Sequence, residues 1–292
     1  MTTETKNKVK TISYSAISIY LQCPLKYRLS YVDKLEPEWT TDSLLLGSVI
    51  HKALEVCLKR FKQFGKLMKC TELQETFCDI LQYELSRVDV KYGSGRTRDQ
   101  LRRMGMNMLS FWRSSLAKDI LSINEIIAVE ERFCLDAHDP EHGYPLSHKI
   151  TGVIDLIVKL KRWPNNVPGG PLNGQKYPGI NAYLLMDHKT AVQRYQDFKI
   201  DRDFQLTAYQ WAALKLGLIP DRELTMVGFS VLHKKQRPEF SLHLSRRTEY
   251  QEIQMLKLFS KVIDAIEMEL FYPSHNIMCS SCPWMDSYCA IW

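Results

Sequence analysis

The chain has 292 residues, with 39 Lys+Arg against 33 Asp+Glu, a formal charge of +6. At 45% hydrophobic and 25% charged residues it has the composition of a globular protein, which excludes disordered and fibrous classes. No apolar run approaches the ~18 residues of a transmembrane helix, and the polar, lysine-rich Met1–Lys10 is no signal peptide. The expected location is therefore the cytoplasm, with no membrane partner. Eight cysteines without an export signal fit a reducing compartment, where thiols bind metal, catalyse or pack.

Charge is spread unevenly. Residues 1–120 hold 20 Lys+Arg and 13 Asp+Glu, a net +7, whereas residues 121–292 hold 19 and 20. A basic half points to a polyanion, with nucleic acid the usual one. A solvated helical surface would give the same count.

In chain order, Thr11–Leu35 is expected to be helical, broken near Cys23-Pro24 because proline starts helices but does not continue them. Ser13 and Ser15 offer N-cap oxygens. Leu44–Phe64 is a second helix, with Leu46, Val49, Ile50, Ala53, Leu54 and Leu58 on one face. Thr71–Val90 is a third, Gly93-Ser94-Gly95 a break, and Arg98–Leu116 a fourth, so the first 120 residues read as almost wholly helical. Then Ile123–Leu135, Lys149–Leu160 and Tyr183–Met186 are rich in Ile, Val and Leu and read as strands. Lys161–Asn181, with four prolines and four glycines, is a long turn region. Phe204–Leu216 is a helix, Leu224–Leu232 and Glu239–Leu244 are strands, and Thr248–Leu270 is an amphipathic helix. The tail from Tyr272 is irregular. Cys57, Cys70, Cys78 and Cys134 are expected to be small buried hydrophobes.

Two apolar strands carry acids: Gly152-Val153-Ile154-Asp155, and Leu184-Leu185-Met186-Asp187-His188-Lys189-Thr190. A carboxylate in such a strand is costly unless paired or bound to metal, and a divalent cation would also relieve repulsion between the two. Residues i and i+2 of a strand share a face, so Asp187 and Lys189 project together while His188 points away. Metal on Asp187 with Lys189 beside an attacking water suits phosphodiester hydrolysis. A surface ion pair is the alternative for so short a motif. Gln205 and Tyr209 lie on one helical face at i and i+4, as do Gly47 and His51.

The ordered set Cys23-Pro24 with Tyr27, Gly47…His51, Gly152…Asp155, Asp187-His188-Lys189-Thr190 and Gln205…Tyr209 resembles the RecB-like branch of the PD-(D/E)XK nuclease superfamily, from about Ser13 to Cys289. The resemblance implies that His51, Asp155, Asp187 and the backbone carbonyl of His188 hold Mg²⁺ or Mn²⁺. It implies that Lys189 activates water, and that Gln205 and Tyr209 support the site and position DNA. Glu130, early in the first strand, is a further candidate.

Cys279-Ser-Ser-Cys282 and Cys289 read C-x2-C-x6-C and need a fourth ligand, which Cys23 supplies if the first helix and the tail meet. Four thiolates suit zinc or an iron–sulfur cluster. RecB-like nucleases of the iron–sulfur type, including CRISPR-associated adaptation exonucleases, place their cysteines this way. That resemblance favours [4Fe–4S], although their tails usually read C-x2-C-x5-C. The cluster would staple the chain ends.

The expected architecture is one α/β domain with a restriction-endonuclease-like mixed-sheet core. A helical section (11–120) precedes the catalytic core (121–270), and a cysteine-rich tail (271–292) closes a cluster with Cys23. The expected activity is metal-dependent DNA hydrolysis, as an exonuclease on single-stranded ends, with Arg96, Arg98, Arg102 and Arg103 tracking the DNA. No phosphate loop of the Gly-x4-Gly-Lys-Ser/Thr type is present, so a helicase, recombinase or CRISPR integrase complex would be a separate partner. The alternatives are a phage-type recombination exonuclease and a non-catalytic iron–sulfur or zinc DNA-binding subunit.

Overall fold

The computed structural model describes residues 9–93, 95–115, 125–161, 181–193, 200–235 and 237–290. Its elements run β1 (Thr11–Ser13), α1 (Tyr14–Gln22), α2 (Pro24–Tyr27), a π turn (Arg28–Val32), β2 (Trp39–Thr41), α3 (Asp42–Phe64), α4 (Cys70–Leu85), β3 (Asp89–Lys91) and α5 (Arg98–Ser114). There follow β4 (Glu125–Leu135), β5 (Lys149–Lys159), β6 (Tyr183–Ala191), α6 (Phe204–Lys215), β7 (Thr225–His233), β8 (Glu239–Ser245) and α7 (Glu249–Glu267). This is a mixed α/β protein. It divides into two compact units: residues 1–36, 132–153 and 248–292, and residues 37–131 and 154–247.

In the first unit, β1 pairs in parallel with the start of β5, Ile12 opposite Ile150. The expected helix over Thr11–Leu35 is thus corrected at its start. Ser13 ends the strand and caps α1, its Oγ accepting the N–H of Ala16 at 3.2 Å. The helix stops at Cys23, which is extended, and restarts with Pro24 in its first turn. Proline lacks an N–H, and the first turn needs none. The ring of Tyr27 stacks on Phe271 and meets Tyr20 edge-on, and the Tyr20 hydroxyl donates to Leu270 O at 2.8 Å. Cys134 is exposed, not buried as expected, because it alternates along β4 with the buried Phe133.

The second unit packs α3, α4 and α5 together, and their apolar stripes share one core with strand residues such as Leu156, Leu184 and Met226. α3 buries Leu46, Val49, Ile50, Ala53, Leu54 and Leu58, the face its 3–4 spacing predicts. Its sheet is mixed: the second half of β5 runs antiparallel to β6, β6 parallel to β7, and β7 antiparallel to β8. All nine residues of β7 are buried, the polar Thr225, Ser230 and His233 among them, as expected of a strand covered on both faces. At Gly228 an added Cβ would lie 2.3 Å from the His243 carbonyl oxygen, so β7 and β8 pair at a distance only glycine permits.

The helical reading of the first 120 residues needs a second correction. β2 and β3 form a parallel pair, Trp39 opposite Asp89, with the Lys91 ammonium 3.5 Å from the centre of the Trp39 ring. The third predicted helix therefore ends at Leu85, short of Val90. Most of the predicted turn region, residues 162–180, lies outside the described residues, as does Leu116. No helix among the described residues is long and apolar enough to cross a membrane.

Candidate metal-dependent active site

The site lies in the second unit, where β5 and β6 part. Their antiparallel register runs from Lys159 opposite Tyr183 to Leu156 opposite Met186. One step further would set Asp155 opposite Asp187. Two facing carboxylates repel, and the Asp155 carboxylate turns instead to accept the backbone N–H of His188 through Oδ2 at 2.7 Å. An N–H released from the ladder is satisfied by the side chain that opened the gap.

α3 delivers His51 to the same oxygen: Nε2 lies 2.7 Å from Asp155 Oδ2, and Nδ1 lies 3.6 Å from Glu130 Oε1. The helix sits close to β6 because residue 47 is glycine. A Cβ there would meet Thr190 Oγ1 at 3.0 Å. Glu130 has φ of +51° within β4, a conformation costly for any residue but glycine. It follows two consecutive buried residues, Ala128 and Val129, where the strand's alternation breaks. The ligand atoms of His51, Glu130 and Asp155 all lie within 4.8 Å of one another. One nitrogen and two carboxylate oxygens converging in this way could hold a divalent cation.

Asp187 and Lys189 share a face, as their spacing predicts, and Lys189 Nζ sits 2.7 Å from Asp187 Oδ2. α6 covers that face. The Asp203 carboxylate caps its start by accepting the N–H groups of Gln205 and Leu206. Lys189 Nζ donates to Gln205 Oε1 at 2.9 Å, and Gln205 Nε2 donates to Tyr209 Oη at 2.9 Å. Tyr209 in turn donates to Asp187 Oδ1 at 3.3 Å. The predicted residues therefore fall into two linked sets: His51, Glu130 and Asp155 in one, and Asp187, Lys189, Gln205 and Tyr209 in the other. Asp187 is turned toward Lys189 and Tyr209 and is not among the three convergent ligands. His188 faces away from the Asp187, Lys189, Gln205 and Tyr209 set and is buried, its ring edge-on to His51 with centroids 6.0 Å apart and its Nδ1 3.0 Å from Ser230 Oγ.

The acids of the site crowd one another around one imidazole. Burial works against a charge on His51, but the hydrogen bond to Asp155 and the nearby carboxylates win and raise its pKa to about 9. Burial, reinforced by Asp155, raises Glu130 to about 7. Burial also raises Asp187 to about 6, against the pull of Lys189. Asp155 is held below the usual carboxylate range: burial opposes this, and His51 outweighs it. Burial keeps His188 neutral, with a pKa of about 4. The same attraction that lowers Asp155 favours a charged His51 beside the Asp155 carboxylate.

Of the four predicted DNA-tracking arginines, Arg98, Arg102 and Arg103 are exposed on α5. Arg96 is committed elsewhere, donating to the buried Asp42 at 2.8 Å. Glu130 carried the weakest sequence signal. The only hint was a Glu-Glu-Arg run inside an apolar strand, and its inward aim depends on the positive φ.

In the first unit, Cys23, Cys279, Cys282 and Cys289 line one small cavity, beside Leu25, Leu29 and Trp284. Cys23 Sγ accepts the N–H of Lys26 at 3.5 Å, and Cys279 Sγ accepts that of Asn276 at 3.3 Å. Burial and the three other thiols raise the pKa of Cys289. Four thiols around one cavity, two of them receiving N–H groups, could hold a cation or cluster.

A model of the PD-(D/E)XK nuclease superfamily matches residues 11–165 and 178–289. Over 86 residues the chain is 29% identical to a subunit of the ATP-dependent helicase/deoxyribonuclease of Carboxydothermus hydrogenoformans, a stretch covering 29% of this chain and 8% of that protein. The fold is similar to the crystal structure of a Eubacterium rectale protein provisionally described as an exonuclease. The TM-score is 0.51 at 11% identity, covering 99% of this chain and 93% of the other.

Proposed function

The chain belongs to the PD-(D/E)XK nuclease superfamily, and from that premise we propose that it is a Mg²⁺- or Mn²⁺-dependent DNA nuclease, acting as an exonuclease on single-stranded ends. The observation that carries this is the convergence of His51, Glu130 and Asp155 next to the Asp187–Lys189 pair. His51, Glu130, Asp155 and Asp187 would hold the metal, with the His188 carbonyl as a backbone ligand. When bound, the metal supplies Lewis-acid activation of the scissile phosphate and its water.

The chain's own residues supply the rest. Lys189 Nζ brings a fixed cation to where negative charge develops, and Gln205 aims it through the 2.9 Å hydrogen bond. Tyr209 holds the Asp187 carboxylate, and burial excludes competing water from it. His51 must give up its proton before its Nε2 can bind metal, so cation binding releases a proton near neutral pH.

The same proposal places a [4Fe–4S] cluster on Cys23, Cys279, Cys282 and Cys289, with zinc as the other occupant. It supports the first unit by tying residues far apart in sequence. Arg98, Arg102 and Arg103 would contact the DNA backbone. A helicase, recombinase or integrase would act as a separate partner. The test is to incubate anaerobically purified protein with end-labelled single-stranded DNA, duplex DNA and RNA, with and without Mn²⁺. Metal-dependent shortening of the single-stranded DNA is expected. Equal activity without metal, or none on any substrate, would overturn the reading.

A further inference from the structure

The second unit contains a cavity of about 600 Å³ that runs beyond the metal-capable cluster. One end carries His51, Glu130 and Lys189, and the other carries Ser43, Leu44 and Lys234. The catalytic residues occupy only the first end. The volume is in the range of ligand-binding clefts.

Lys234 is the unexplained cation of this cavity. Its Nζ donates to the carbonyl and the hydroxyl of Ser43, both at 2.8 Å, at the first turn of α3. An ammonium has three N–H groups, so one is left for the cavity. The other cations of the lining have acidic partners: Lys189 has Asp187, Lys52 has Glu84, and His51 has Asp155. Among the described residues, Lys234 contacts no carboxylate. The nearby Asp42 is already bonded to Arg96 and to the N–H of Gly93. Burial lowers the Lys234 pKa to about 8, opposed by Asp42 and assisted by Arg96. A bound anion would offset that penalty.

Its position follows from the sheet. β6 and β7 pair in parallel with Lys189 opposite Val231, and the Lys234 N–H continues the ladder to Ala191 O at 2.8 Å. Lys234 thus lies three residues past the level of Lys189. At roughly 3.3 Å per residue that is about 10 Å further along the strands. That backbone separation, on an odd step that turns the two side chains to opposite faces of the sheet, suits two different phosphates of one nucleic-acid strand.

We propose that Lys234, braced by Ser43, is a positioning residue that grips a non-scissile phosphate of the substrate strand within the active-site cavity. This rests on the nuclease reading and deepens it, because it makes recognition depend on a chain of at least several phosphates.

The experiment measures binding of fluorescently labelled single-stranded DNA of two, four and twelve nucleotides in EDTA, where hydrolysis is silent. The parent, Lys234→Met and Lys234→Arg are compared across a salt series, with melting temperatures recorded alongside. Lys234→Met should weaken binding of the 12-mer about fivefold to tenfold and reduce the salt slope by about 0.7, the value for one phosphate contact on a single strand. It should also remove the gain in affinity between two and four nucleotides, and Lys234→Arg should restore most of both. Unchanged slope and length dependence in Lys234→Met would overturn the proposal, as would a parent that does not bind the 12-mer. Cleavage by the parent in Mn²⁺ is scored separately. Binding without cleavage would remove the nuclease reading and leave the phosphate grip standing, whereas cleavage with an unchanged slope would do the reverse.

Discussion

Replacing Asp187 by Asn separates catalysis from folding. The carboxylate is fully buried in β6, and burial raises its pKa from 3.8 to about 6 despite Lys189 at 2.7 Å. That rise corresponds to about 3 kcal/mol against the charged form. The sign follows from which state holds the proton. Between pH 4 and pH 6 the unfolded chain releases this proton and the folded chain keeps it, so the penalty on the native state grows across that window. It is full above pH 6. Asn keeps the shape and removes the charge. It also loses the ion pair to Lys189, which retains Gln205 as a partner. The net expectation without metal at pH 7.5 is a gain of about 1–3 kcal/mol, or roughly 2–6 °C in melting temperature for a chain of this size. At pH 4 the gain should shrink below ~1 kcal/mol. Mn²⁺ should stabilise the parent and not the variant, and only the parent should cleave DNA. The assay is thermal unfolding in EDTA at pH 4 and pH 7.5, repeated with Mn²⁺. A variant clearly less stable than the parent at pH 7.5 in EDTA would refute the reasoning, because the Asp187–Lys189 pair would then be a net stabilising bridge.

Lys189→Ala keeps every carboxylate and should bind Mn²⁺ while losing ~10²–10³ in cleavage rate; single-turnover kinetics alongside metal titration checks this, and a parental rate would remove Lys189 from the chemistry. Cys282→Ser should lower iron content and melting temperature, whereas Cys134→Ser, at an exposed position, should change neither; full iron in Cys282→Ser by metal analysis would refute the cluster. Arg102→Ala with Arg103→Ala should weaken DNA binding and lower the salt slope by about one for each phosphate no longer neutralised, and an unchanged slope would return both to the solvated surface of α5. Gly228→Ala should destabilise the protein by about 3 kcal/mol or more, since its Cβ meets a backbone carbonyl at 2.3 Å that cannot move without breaking the β7–β8 ladder; chemical denaturation measures this, and a loss under ~1 kcal/mol would mean the ladder is softer than the geometry shows.

What the sequence determined by itself is the part governed by local periodicity. The 3–4 spacing of Leu46, Val49, Ile50, Ala53 and Leu54 specifies both the helix and its buried face. The i, i+2 spacing of Asp187 and Lys189, and the i, i+4 spacing of Gln205 and Tyr209, place each pair on one face without knowledge of any neighbour. Ser13 could be named as a cap because capping is decided within three residues. The tertiary structure decided what depends on distant partners. β1, β2 and β3 are three residues each, too short for any alternation to register, and they exist only because residues 149–151 pair with β1 and β2 pairs with β3. Glu130 joins His51 and Asp155 because a positive φ redirects it within its strand. Arg96 is claimed by Asp42, 54 residues away, although in sequence it looked like one more arginine of the basic stripe. Lys234 had no motif at all. Its significance comes from a hydrogen bond to Ser43 across 191 residues and from having no carboxylate in contact with it among the described residues. Periodicity assigns a side chain to a face; which charge it meets there depends on chain segments brought together only by folding.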